Sequence, residues 1–155
     1  MSAVKSLLLA IDMATRKRDQ AGKDLMQLQS TQLFAQDQMT QLKTYATETE
    51  ARWVSAAQIS APPGLLHQHY QFMDRLHQAI DLQQGVLENI DKKMDAARRL
   101  VLEAEFGLIS LKQVLGKKQA EMALLQTRRE QKQMDEFAAM QTRRSMDGHF
   151  SREQS

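Results

Sequence analysis

The chain has 155 residues, 42% of them apolar and 26% charged, with a formal net charge of +2. It is too polar for a membrane-spanning protein and too evenly charged for overall charge alone to indicate nucleic-acid binding. Only 5% of residues are aromatic, six are glycine and two are proline, so the turn signals that sheets need are scarce, and the lack of cysteine excludes disulfides and thiolate metal sites. Long helices are therefore predicted.

The N-terminal segment begins with an apolar run from Leu7 to Ile11. Asp12 closes this run, and basic residues follow it, whereas a signal peptide carries its basic residues before the apolar run. No other segment approaches the 18 apolar residues of a membrane span. We therefore expect a soluble, cytoplasmic protein.

Two segments carry a coiled-coil pattern, in which apolar residues recur at alternating spacings of four and three. The first steps from Leu7 to Trp53 and predicts a helical arm over about 4–58, and the second steps from Leu66 to Leu125 and predicts an arm over about 66–140. Of the 32 stepped positions 26 are apolar, against about 13 expected from 42% apolar content. The exceptions are Arg18, Gln32, Thr49, His69, Gln83 and Lys118.

The hinge between the arms, about 59–65, contains Pro62, Pro63 and Gly64, which disfavour a continuous helix. The chain is therefore expected to fold back as a long antiparallel two-helix coiled-coil hairpin, an all-α fold. One register, in which paired residue numbers add to 122, matches seam positions throughout. It predicts the pairs Trp53 with His69, Ala46 with Leu76, Leu28 with Met94, Ile11 with Leu111 and Leu7 with Leu115.

Two details follow from this register. Arg18 is set opposite Ala104, and we expect its guanidinium group to reach Glu103 or Glu105. The start of arm one is set opposite Lys118, so the rest of arm two is predicted to be a C-terminal helical overhang.

The overhang is basic, since residues 111–155 hold nine basic and six acidic side chains. Arg128, Arg129 and Lys132 lie in it, near an adaptable apolar group that includes Met134 and Phe137. The overhang ends in a predicted flexible basic tail, about 141–155. Three interpretations stay open: a solvated helix face, a docking end for an acidic protein groove, or a nucleic-acid contact.

The hinge-proximal half carries more apolar surface than a two-helix seam requires. Positions flanking the seam place Tyr45, Phe72 and Ala79 together on one side. This surplus is typical of a docking patch. The alternative is that these residues only thicken the contact between the helices.

Catalytic chemistry is not expected, because a two-stranded rod has no cleft in which acid and base groups converge. His67, His69 and His77 come near one another, but no further ligand is spaced to join them. We predict no enzyme activity, no cofactor, no metal site, no nucleic-acid partner and no small-molecule substrate.

Two short motifs lie in arm two. One is Asp135-Glu136-Phe137-Ala138 preceded by Gln131-Lys132-Gln133-Met134, and the other is Tyr70-Gln71-Phe72 followed by Leu76 and Ala79-Ile80. Both resemble motifs of the FliJ family of flagellar export proteins. The resemblance implies a component of the flagellar type III export apparatus at the cytoplasmic face of the inner membrane. Its implied partners are the hexameric export ATPase, the export-gate membrane protein and export chaperones.

The resemblance also implies two binding sites. The family's gate-contact positions correspond to Gln38, Leu42, Tyr45, Phe72, Leu76 and Ala79. The family inserts its termini into the ATPase ring, which implies an ATPase contact on the overhang at Arg128, Arg129, Lys132, Met134 and Phe137. The family pattern continues with an aromatic residue and a histidine where this chain has Thr49 and Gln83.

Two other functions stay open from the sequence alone. The first is a coiled-coil scaffold or chaperone unrelated to flagella, which would lack any coupling to an ATPase. The second is a basic coiled-coil nucleic-acid binder, which salt-sensitive DNA retention would reveal. In basic-zipper proteins the basic helix leads into a parallel dimer, whereas here the basic segment follows a hinge within one chain.

Overall fold

The computed structural model describes residues 2–59 and 62–153, with side-chain environments for 2–59 and 62–149. It contains two α-helices, α1 at Ser2–Ala57 and α2 at Pro63–Glu153. No strand occurs among these described residues. The two helices pack against each other, which confirms the predicted all-α hairpin.

The turn between the helices begins at the C-terminal end of α1. There the Ile59 amide donates at 3.1 Å to the Ala56 carbonyl three residues earlier, as in a 3₁₀ turn, whereas in an α-helix the acceptor lies four residues earlier. After the turn, the Pro62 carbonyl accepts from the Leu65 and Leu66 amides. Pro63 takes the first helical position, where its missing N–H is not needed, so α2 begins three residues before the predicted start. Ser60 and Ala61 of the predicted hinge lie outside the described residues.

The C-terminal end of α2 differs from the sequence-based expectation. The helix was expected to end near residue 140 and to lead into a flexible tail, but it continues to Glu153. The segment contains no proline, and Gly148 costs only about 1 kcal/mol relative to alanine within a helix. One glycine is therefore not enough to stop the helix.

The chain divides into two compact units, one of which runs from Ala14 to Phe106. In this unit Ala35, Ile90 and Met94 form one buried cluster, against which Leu28 packs. A second buried cluster consists of Ala46, Met73 and Leu76, with Leu42 and Ile80 packed against it. Nearer the turn, the rings of Trp53 and His69 stack with centroids 4.4 Å apart. These contacts confirm the predicted antiparallel register within the unit.

The predicted partner of Arg18 is wrong. Its guanidinium group bonds to Asp19, the next residue on α1, at 3.0 Å instead of reaching Glu103 or Glu105 on α2. An adjacent carboxylate on the same helix is close without any crossing of the seam, and the Arg18 side chain stays 38% exposed.

The other unit combines the chain up to Met13 with the chain from Gly107 onward. Leu108 is buried, whereas Leu7, Ile11, Leu111 and Leu115 are half-buried. The pairs predicted among these last four residues stay predictions. Every residue from 116 to 149 is exposed, and the bounds of the overhang stay a prediction.

Candidate partner-binding surfaces

A shallow surface groove lies beside the seam in the unit that runs from Ala14 to Phe106. We call it the Tyr45 groove, and its lining consists of Gln38, Gln41, Leu42, Tyr45 and Gln83. None of these five side chains carries a charge. The groove is open to solvent, and its walls offer amide groups, one aliphatic side chain and one phenol ring. Such a surface suits an uncharged segment of another protein rather than a charged ligand.

Tyr45, which lines the groove from α1, contacts the ring of Phe72 on α2. Tyr45 and Phe72 meet edge to face, with ring centroids 6.0 Å apart and an interplanar angle of 84°. Tyr45 remains 49% exposed and Phe72 39% exposed. The sequence-based expectation that these two rings share one side of the seam is confirmed. The pair is thus partly packed and partly available to a partner.

The six predicted gate-contact residues differ in how far their side chains are buried. Leu76 is buried in the cluster with Ala46 and Met73, and Leu42 packs onto that same cluster. Ala79 is half-buried, whereas Gln38, Tyr45 and Phe72 are exposed. Leu76, which is buried, and Leu42, which is partly buried, therefore form a floor beneath the exposed side chains. Contact with a partner itself stays a prediction.

Gln83 and Gln41 also line the groove, although neither was among the predicted contacts. The Gln83 side-chain amide donates to the Ala35 carbonyl at 2.8 Å and to the Gln38 side-chain carbonyl at 3.4 Å. Gln41 donates to Asp37 on its own helix at 3.1 Å. Gln83 had a signal in the sequence, as a polar residue in an apolar seam pattern. Gln41 had none, because it lies outside that pattern.

The predicted ATPase-contact residues are all exposed, and they lie on more than one face of α2. Met134 and Phe137, which are 72% and 63% exposed, line a shallow surface with Glu130, Gln133, Ala138 and Gln141. With about 100° per residue, Arg128 lies about 180° and Lys132 about 140° around the helix from Phe137. Arg128 and Lys132 therefore face away from Phe137, whereas Arg129 lies only about 80° around the helix from it.

The histidines near the turn take part in packing and polar contacts. His69 stacks on Trp53, and a ring nitrogen of His67 lies 3.3 Å from the Gln71 amide nitrogen. Within residues 2–59 and 62–153, no group of three or more histidine, cysteine or acidic side chains is placed to hold a metal ion. In the same ranges, neither helix has a stretch long and apolar enough to cross a membrane.

Comparison with known proteins connects this geometry to a family. The family model described as "Flagellar FliJ protein" matches residues 4–147. No curated protein and no solved structure gave a match. The matched range includes both predicted partner-binding surfaces and nearly the whole chain. The chain therefore belongs to the FliJ family of flagellar proteins.

Proposed function

We propose that this chain is a non-enzymatic component of the flagellar type III export apparatus that couples the hexameric export ATPase to the export-gate membrane protein. The observation that carries the proposal is the half-exposed Tyr45–Phe72 pair beside the Tyr45 groove. Large aromatic side chains above a buried floor are frequent anchors at protein interfaces. Family membership supplies the flagellar setting.

The gate contact is assigned to the Tyr45 groove and to the residues around Phe72. Gln38, Leu42 and Tyr45 line the groove, and Phe72 contacts Tyr45 from α2. Leu76 contributes to the floor, and Ala79 is half-buried. We expect the exposed aromatic rings to supply most of the binding energy, while the buried positions keep the surface in shape.

The ATPase contact is assigned to the overhang. Residues 116–149 are exposed, and a helix gains most of its stability from packing, so a partner is expected to cover this segment. The apolar pair Met134 and Phe137 faces one way, whereas Arg128 and Lys132 face another. A helix recognised on several faces fits a partner that surrounds it, such as the centre of a hexameric ring, better than a flat surface.

The proposal also includes a location and a second class of partner. A protein that joins a cytoplasmic ATPase to a membrane gate would lie peripherally at the cytoplasmic face of the inner membrane, at the flagellar base. Assistance to export chaperones completes the proposed role.

The test is to purify the full chain with the export ATPase of the same cell and to measure ATP hydrolysis. We expect stimulation by the full chain and none by a truncation after Gln126, and residues 127–149, which it removes, are all exposed. A truncation after Asp147, where the family match ends, serves as the control and should still stimulate. Undiminished stimulation by the shorter truncation would refute the assignment to the overhang, and no stimulation by the full chain would favour a scaffold without an ATPase partner.

A further inference from the structure

Gln83 is a polar residue at a seam position, and its side chain reaches across to α1. The 2.8 Å bond to the Ala35 carbonyl fixes its amide group, and the longer 3.4 Å contact joins it to Gln38. Gln83 is half-buried, whereas Gln38 is exposed at the rim of the Tyr45 groove. Gln83, whose amide is fixed by the Ala35 carbonyl, thus contacts Gln38, whose side chain would otherwise rotate in solvent.

The direction of these hydrogen bonds determines whether Gln38 presents its carbonyl oxygen or its NH₂ group to a partner. A glutamine amide has two N–H donors on its nitrogen and one carbonyl acceptor. Gln83 uses its nitrogen for both contacts, so Gln38 accepts through its oxygen. The opposite end of the Gln38 amide, its NH₂ group, is then the end presented to a partner.

We propose that Gln83 is a positioning residue for gate recognition, because it orients Gln38 so that the Gln38 NH₂ group donates to an uncharged acceptor on the export-gate protein. This inference rests on the proposed function. The main-chain carbonyl of a gate segment is an acceptor of the required kind. The other lining side chains, Gln41, Leu42 and Tyr45, are uncharged as well.

Gln32 is a matched control that tests whether Gln83 has only a structural role. Gln32 is also a seam residue with a cross-helix hydrogen bond, which it donates to Asp91, but it does not line the Tyr45 groove. If these bonds only fix the helix register, replacement of either glutamine should affect gate binding alike. If Gln83 positions Gln38, only replacement of Gln83 should weaken gate binding.

The experiment measures the Kd of the full chain for the soluble part of the gate protein, together with the melting temperature. Gln83→Met keeps the length of the side chain, removes its donors and suits an apolar seam, so the melting temperature should not fall. We expect Gln83→Met and Gln38→Met each to weaken gate binding about 5- to 10-fold, as for loss of one hydrogen bond. Gln32→Met should bind like the original chain.

Coupling between the two residues gives the sharper test. If Gln83 acts through Gln38, the double variant should bind no more weakly than Gln38→Met alone. Additive losses, or equal losses in Gln83→Met and Gln32→Met, would overturn the inference. Unchanged binding by Gln38→Met would also overturn it, and this variant leaves the seam intact even if Gln83→Met folds poorly.

A second readout needs no partner. In NMR spectra of the free chain, Gln83→Met should shift the Gln38 side-chain amide signals, whereas Gln32→Met should leave them in place. Failure of the original chain to bind the gate protein would refute the proposed function and, with it, gate recognition by Gln38. Unshifted Gln38 signals, with gate binding intact in the original chain, would refute the positioning role alone.

Discussion

Truncation of the aromatic pair should separate binding from packing. Burial of a whole phenylalanine makes Phe→Ala cost about 3–5 kcal/mol in protein cores. Phe72 is 39% exposed and Tyr45 49% exposed, so each truncation should cost about 2 kcal/mol of folding free energy, including the shared edge-to-face contact. Met94 is only 2% exposed, so truncation of this seam residue should cost more folding free energy than truncation of Phe72 or Tyr45.

The expected loss of binding free energy is at least as large as the expected loss of folding free energy. Anchor residues at interfaces carry about 2 kcal/mol or more, which corresponds to about 30-fold in Kd. We expect Phe72→Ala and Tyr45→Ala to keep near-native helicity and ATPase binding while they weaken capture by the soluble part of the gate protein by this factor. Circular dichroism, ATPase binding and gate binding should be measured on the same preparations.

The control for this experiment is Phe106→Ala. Phe106 also lies on α2, is 67% exposed and does not line the Tyr45 groove, so its truncation should leave gate binding unchanged. Unchanged gate binding by Phe72→Ala, accompanied by a large fall in melting temperature, would show that the aromatic pair is packing and that the gate docks elsewhere.

Two further outcomes follow from the register and from the charges. Cysteines at positions 28 and 94, in place of Leu28 and Met94, should crosslink within one chain in dilute solution, whereas exclusively intermolecular products would indicate a parallel dimer or swapped hairpins. Added salt should weaken ATPase binding, because Arg128 and Lys132 are exposed charges, but should change gate binding little, because the groove lining is uncharged. Equal salt dependence of the two contacts would contradict this assignment.

The seam could be predicted from sequence because burial alone sets its spacing. Among the residues whose side-chain environments are described, all ten buried apolar residues lie on the four-three positions of the sequence. The ends of α2 could not be predicted in the same way. The start depends on whether Pro63 is a breaker or a first helical residue, and the far end depends on propensities that are weak one residue at a time.

For the candidate site, the sequence predicts which residues share a face but not which hydrogen bonds their side chains form. Surplus apolar width placed Tyr45 and Phe72 together, because side-chain direction follows directly from helix periodicity. The bonds of Gln83 and Arg18 were not predictable, since a long polar side chain has several partners within reach and the choice depends on its rotamer. Periodicity also separates the faces of Met134 and Arg128, although both belong to the predicted ATPase contact.

A glycine in the interior of α2 provides a last test of the packing. A Cβ atom added at Gly85 would meet nothing within 4 Å, so Gly85→Ala gains helix propensity at no steric cost. The gain is up to about 1 kcal/mol, or about 2–4 °C in melting temperature for a chain of this size. Gly148→Ala, in the exposed overhang, is the control and should leave the main melting transition unchanged. A lower melting temperature for Gly85→Ala would mean that another chain closely approaches Gly85 in solution, because among the described residues nothing outside the surrounding backbone of α2 lies within 4 Å of the added Cβ atom.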